Sequence, residues 1–179
     1  MQIKTIAGMS AGLALVAGTV ALSAGTSASA AAPAAAPRAG AVQTVKVLST
    51  DSAMKIADAV QKEAAKQKQR VTVAIVDRSG DLKLAVKGDG AGPQTFESAK
   101  RKAFTAVSMG QPTSKLAENA TGDGPTTRDI PGTLFLAGGV PVAVDGSPVA
   151  GIGVGGAPQG AIDEAIANAG LKAVQGDLG

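Results

Sequence analysis

Residues 128–158 read RDIPGTLFLAGGVPVAVDGSPVAGIGVGGAP, and this stretch decides the architecture. Val140 to Val144 is a short β-favouring run broken by Asp145-Gly146, after which Pro148 to Val154 resumes the pattern. An Asp-Gly pair between two such runs predicts a tight hairpin, because both residues tolerate the positive φ of the primed turns. Pro141 and Pro148 stand near the starts of the two runs, where a missing N–H costs the ladder least. Gly155-Gly156-Ala157-Pro158 then leads into a helix, and an Ile-Pro-Gly-Thr-Leu-Phe segment precedes the hairpin.

Working outward, the same plan occurs earlier in the chain. Val71 to Val86 reads as strand, turn at Asp77 to Asp81, and strand, continuing through Gly90-Ala91-Gly92-Pro93 into a helix. Two β-β-α units are thus expected to build one sheet, and a duplication is one explanation of their likeness. Asp77 and Asp81 are read as turn formers rather than as a catalytic pair.

The helices follow from period and caps. Ser49 to Gln69 has a capping serine, Asp51 in its first turn, and Ala53, Ile56, Ala57, Val60 and Ala64 on one face. Gln94 to Met109 carries Phe96, Ala99, Ala103, Ala106 and Val107 as its apolar stripe, with Lys100, Arg101 and Lys102 expected to be exposed or ligand-facing. Gly110 and Pro112 end it, and Thr113 to Asn119 adds a short helical piece. A last helix over 160–174 shows Ile162, Ala165, Ile166, Ala169 and Ala173 as its apolar positions.

The N-terminus stands apart from this pattern. Lys4, the charge-free apolar run from Ile6 to Leu22 and the small residues Ala28-Ser29-Ala30 predict an export signal spanning 1–30, cut after Ala30. The run is near the lower length limit for a membrane span, and its small polar residues favour cleavage over anchoring. Residues 31–46 read as an Ala/Pro-rich tail and 47–175 as one domain. Without the signal the chain carries 16 basic and 14 acidic residues, since only Lys4 is removed from the 17 and 14 of the whole. So small a surplus, with three Phe and no Trp or Tyr, offers no platform for stacking nucleic-acid bases.

Absent residue types narrow the chemistry further. With no His and no Cys, Ser-His-Asp and Cys-His nucleophilic systems and His/Cys zinc sites are impossible. Gly151-Ile152-Gly153-Val154-Gly155-Gly156 matches G-x-G-x-x-G, but a dinucleotide site needs a following parallel strand and a distant acid, and no such strand is expected after the last helix. The simpler reading is a close-packed strand and a sharp turn into a helix.

Four motifs in order, VAIVDRSGDL, DGAGPQTFESAKRKAFTAVS, DIPGTLFLAGGVPV and VAGIGVGGAP, resemble the GlcG/HbpS-like haem-binding family, in its secreted actinobacterial branch. The resemblance spans most of Val47 to Val174. It implies an α/β fold with a central antiparallel sheet of about five strands, two hairpins plus one, flanked by helices. It also implies a homo-oligomer, often an octamer, haem as cofactor, and in some members bound iron or a place beside a membrane sensor kinase.

Site residues carry over locally. The threonine of the P-G-T-L-F stretch is implicated as haem-iron ligand, which here is Thr133. The branch can carry an E-x-x-E pair used for iron; this chain has Glu97 but Lys100 at the second position, so Glu97 lacks its companion acid. Read from the residues alone, the mature chain offers as iron ligands only Met54, Met109, hydroxyls, lysines or carboxylates. Both methionines also fit as core residues, and Thr133 as the start of a strand. Arg101, Lys102 and Arg128 are candidates for pairing with haem propionates. The preferred reading is a secreted, non-catalytic haem-binding protein for haem capture or redox sensing. A haem-degrading or small-metabolite enzyme and an exported structural oligomer without ligand are the alternatives.

Overall fold

Between two strands the chain reverses at Asp145-Gly146 with φ of 50° and 75°, the primed-turn geometry that the Asp-Gly pair predicts. The computed structural model describes residue 40, residues 43–122 and residues 124–179. The signal sequence expected over 1–30, and the tail up to residue 39, lie outside the described residues.

The elements run α1 (Thr50–Lys66), β1 (Thr72–Asp77), β2 (Leu82–Lys87), α2 (Thr95–Met109), α3 (Thr113–Asn119), β3 (Gly139–Val144), β4 (Ser147–Gly155) and α4 (Gly160–Val174). The two hairpins form one antiparallel sheet in the order β2-β1-β4-β3. Pro141 lies in edge strand β3, and Pro148 lies beyond the last β1–β4 pair, Asp77 with Ala150, so neither ring removes a central ladder bond. At the β1–β2 turn the Asp77 carboxylate accepts from Ser79 N and Asp81 N at 2.8 and 3.1 Å, which makes Asp77 a turn former as expected.

Both central strands are buried on both faces. On one face Val73, Ile75, Val142, Ile152 and Val154 meet α1 and α4 in the main core. Ser49 caps α1, its hydroxyl accepting from Ser52 N at 3.1 Å, and the buried residues of α1 are the five expected. On the other face α2 lies on β4 so closely that a Cβ at Gly151 or Gly153 would collide with the carbonyl oxygens of Ala103 and Ala99. The alternating glycines therefore form a backbone groove for a helix, as a close-packed strand requires.

The central antiparallel sheet is as expected, with four strands among the described residues where about five were expected. The Ile-Pro-Gly-Thr-Leu-Phe segment before the second hairpin is not a strand: its Thr133–Leu134 peptide is taken by side chains of α2, Arg101 donating to Thr133 O and Leu134 N donating to Thr105 Oγ1. The expected stripe of α4 is corrected: its buried face is Asp163, Ile166, Ala167, Gly170 and Val174, with Ala165 and Ala173 exposed. The helix turns this face inward because a Cβ at Gly170 would lie 2.7 Å from Val60 Cγ2, so the bare glycine lets α1 and α4 close together. The two β-β-α units do build one sheet, as expected, but not as equivalent halves: the first strand of one and the second strand of the other are central. Their helices also pack differently, α2 over the Gly151 and Gly153 face and α4 in the core beneath the other.

Candidate functional site

Glu97, Lys100, Arg101 and Phe104 recur at the spacing that brings residues onto one face of a helix. Packing of α2 onto β4 by its other side leaves this face outward. There the four side chains meet Gly80 of the β1–β2 turn and Gly132 of the loop before β3, around a cleft of about 310 Å³. The half-buried Phe104 ring is its apolar wall. A Cβ at Gly80 would lie 3.1 Å from Phe104 Cε2, and one at Gly132 would lie 3.6 Å from Phe104 Cε1. The two glycines thus flank opposite edges of the ring without covering it. The cleft combines a flat aromatic surface with two cations and one carboxylate.

Thr133, next in sequence to Gly132, is only 3% exposed. Its hydroxyl donates to Ile130 O at 2.8 Å and lies 3.2 Å from Arg128 O, and its own carbonyl accepts from the Arg101 guanidinium at 2.6 Å. Thr133 and Arg101 are therefore brought together. Arg128 points elsewhere, donating to Gly122 O at 2.7 Å.

Lys102 is not on the exposed face where the sequence reading set it beside Lys100 and Arg101. Its side chain is 4% exposed and donates to Asp163 Oδ2 at 2.8 Å and Val154 O at 3.0 Å, while Asp163 Oδ1 accepts from Ala157 N. One residue further along the helix than Arg101 is enough to turn the chain inward, where a carboxylate offsets the cost of burying the ammonium. This pair lines a different cavity, of about 440 Å³, with Gln94, Ser98, Leu136 and Ala161.

Neither methionine is a buried core residue. Met54 is 59% exposed in a shallow groove with Leu84 and Val86. Met109 is half-buried at the end of α2 and lines neither cavity. Thr113, another hydroxyl after a proline, is buried and pinned, donating to Leu136 O and accepting from Gly139 N. Glu97 lies in the cleft beside Lys100, and no group of three or more metal-binding acids occurs among the described residues.

The reading of the sequence missed Phe104 and Gly80 as parts of this cleft. A signal was present, since Phe104 continues the Glu97, Lys100, Arg101 spacing by one turn. Asp163 gave none, because nothing local ties it to Lys102 sixty-one residues earlier.

Comparison with known proteins follows the same lines. A family model described as "Haem degrading protein HbpS-like" matches residues 48–172. Protein GlcG of Escherichia coli K12 is 34% identical over 114 residues, covering 63% of this chain and 84% of GlcG. A double mutant of Streptomyces reticuli HbpS superimposes with a TM-score of 0.70 at 53% identity, over 80% of this chain and 97% of that one. A PduOC–haem complex matches with a TM-score of 0.65 at 26% identity, over 72% and 95% of the two chains.

Proposed function

The chain belongs to the HbpS-like family, and from that premise we propose that it binds haem in the cleft walled by Phe104, as an exported protein for haem capture or redox sensing. The observation that carries the reading is the Phe104 ring left bare between Gly80 and Gly132, with Lys100 and Arg101 on the same helix face. A porphyrin is a flat apolar disc with carboxylate arms, and these residues match it in kind. Burying such a disc against apolar surface is favourable by about 25 cal/mol per Å². The haem complex of PduOC, a structural relative, agrees in ligand class.

In this reading Phe104 stacks on one face of the ring and the cation of Lys100 meets a propionate. Haem, once bound, supplies a redox-active iron. The oxygen proposed to ligate it is Thr133 Oγ1, which in the ligand-free chain is committed to Ile130 O and must leave that bond to reach the cleft. Such a hydroxyl is a weak ligand, so binding rests on the apolar wall and is exchangeable, which suits capture or sensing. Lys4, the apolar run 6–22 and Ala28-Ser29-Ala30 support export, with Ala31 as the first residue of the mature protein. A homo-oligomer, of octamer size, and a membrane sensor kinase as partner complete the proposal.

Titration of haemin into the wild type and Phe104→Ala tests it. A stable Soret band in the wild type, with affinity lowered about tenfold in the variant, is expected for an aromatic wall of this kind. Absence of any Soret change in the wild type would overturn the haem reading. A second reading, haem degradation, is favoured by the description of the matching family model. It predicts a Soret band that forms and then decays when a reductant and oxygen are supplied.

A further inference from the structure

The Thr133–Leu134 peptide is gripped at both ends by α2. Its carbonyl accepts from Arg101 at 2.6 Å, and its N–H donates to Thr105 Oγ1 at 2.8 Å. The two gripping residues are one helical turn apart, and they are themselves joined, Thr105 Oγ1 donating to Arg101 O at 2.7 Å. Thr105 is fully buried, whereas Arg101 is exposed at the rim of the cleft. A peptide plane held at its C=O and its N–H cannot rotate about its neighbours' ψ and φ without losing both bonds. Its orientation sets ψ of Thr133 and φ of Leu134, and so ties down the chain next to Gly132, which forms the cleft wall opposite Gly80.

We propose that Arg101 and Thr105 are positioning residues for haem: they act through the Thr133–Leu134 peptide, and the carboxylate contact belongs to Lys100. This deepens the haem-binding reading above and rests on it. Arg101 has the geometry for the task that a lysine lacks, a planar fork one of whose amino groups is spent on the carbonyl. Lys100, by contrast, lines the same cleft with no hydrogen bond to any described residue, and its ammonium is available to an anionic arm.

The two roles separate when the propionates are blocked. Affinities for haemin and for haemin dimethyl ester are measured on the wild type, Lys100→Ala, Arg101→Ala, Thr105→Val and Thr105→Ser. The expected result is that Arg101→Ala and Thr105→Val weaken both ligands by the same factor, about tenfold for loss of a charge-assisted or buried hydrogen bond. Thr105→Ser, which keeps the oxygen, has wild-type affinity, and a further variant combining Arg101→Ala with Thr105→Val loses less than the product of the two single losses. Lys100→Ala weakens haemin alone. In the ligand-free protein, amide hydrogen exchange at Leu134 speeds up in Arg101→Ala and in Thr105→Val. Should Arg101→Ala weaken haemin but leave the ester unchanged, Arg101 is a propionate contact and the positioning role is overturned. Unchanged exchange at Leu134 in Arg101→Ala overturns the grip itself, even if Thr105→Val fails to fold. A wild type that binds neither porphyrin overturns the haem reading and the positioning role with it, a result distinct from either of the others.

Discussion

The two sides of α2 are built from the same fifteen residues by opposite means. Toward the sheet, Ala99 and Ala103 press their backbone onto Gly153 and Gly151, and the single charge there, Lys102, is enclosed with Asp163. Toward solvent, Arg101, Phe104 and Thr105 hold a loop and a ring through hydrogen bonds and a half-open cleft. Where Gly151 and Gly153 meet the backbone of α2 there is no space to yield, and the Lys102–Asp163 pair is buried, so a change on the inner side is felt as lost stability. On the outer side a change is felt first as lost ligand geometry. In the proposed reading the helix is a fixed post on which a ligand wall is hung, and substitutions on its two sides should separate stability from binding.

The largest expected effect is on the inner side. Lys102→Ala leaves the Asp163 carboxylate buried and without its cation, at a cost of about 3–5 kcal/mol in unfolding free energy. Denaturant titration reads this directly; a loss below about 1 kcal/mol would mean that the pair is solvated and the inner side less closed than its 4% exposure indicates. Gly153→Ala comes next. The added methyl group is aimed at the Ala99 carbonyl, so α2 must lift from β4, at about 1–3 kcal/mol for overpacking. If the lift is real, the same variant also weakens haemin binding, because the outer wall moves with the helix. A destabilised Gly153→Ala that binds haemin like the wild type would show the two sides to be independent.

Thr133→Val is the corresponding change on the outer side. It keeps shape and β-branching, deletes the oxygen and removes the bond to Ile130 O, for a stability loss of about 0.5–1.5 kcal/mol. The expected result is a folded protein with a shifted or lost ferric Soret band. An unchanged spectrum at unchanged affinity would remove Thr133 as iron ligand and leave the wall at Phe104 as the whole of the site.

How much of this was legible beforehand divides along the same line. The α1 stripe, the Asp-Gly hairpin and the close-packed Gly151–Gly155 strand each announce themselves within a few residues, because period and turn chemistry are local. The buried face of α4 does not, since its deciding residues are a glycine that admits α1 and an acid that answers a distant lysine. Lys102 looked like its neighbours Lys100 and Arg101 because a hundred degrees of helical rotation is invisible until the packed side is known. The loop conformation of the segment before the second hairpin has a similar cause. Thr133-Leu134-Phe135 has strand propensity, but its peptide groups are claimed by α2 side chains that come close only in the folded chain. Of the site, the residues on one helix were within reach of a spacing argument; the glycines that complete it on two separate loops were not.

The smallest effect is expected where the chemistry of the Lys102–Asp163 pair is repeated in water. Lys46 and Asp145 form an ion pair of similar length, 2.6 Å against 2.8 Å, but with side chains 66% and 80% exposed. The hydrogen bond from Lys46, and then its charge, hold the Asp145 carboxyl below the ordinary aspartate range. A carboxyl whose pKa is lower folded than unfolded contributes stability above the unfolded value, and loses it as pH falls through the folded one. Lys46→Ala should therefore be slightly less stable than the wild type near neutral pH, with the difference vanishing on acidification below about pH 4 and in molar salt. Paired thermal melts across that range are the measurement. A deficit that persisted in acid would have to come from lost packing of the Lys46 stem rather than from its charge, and the contrast between the enclosed pair and the open one would then rest on something other than burial.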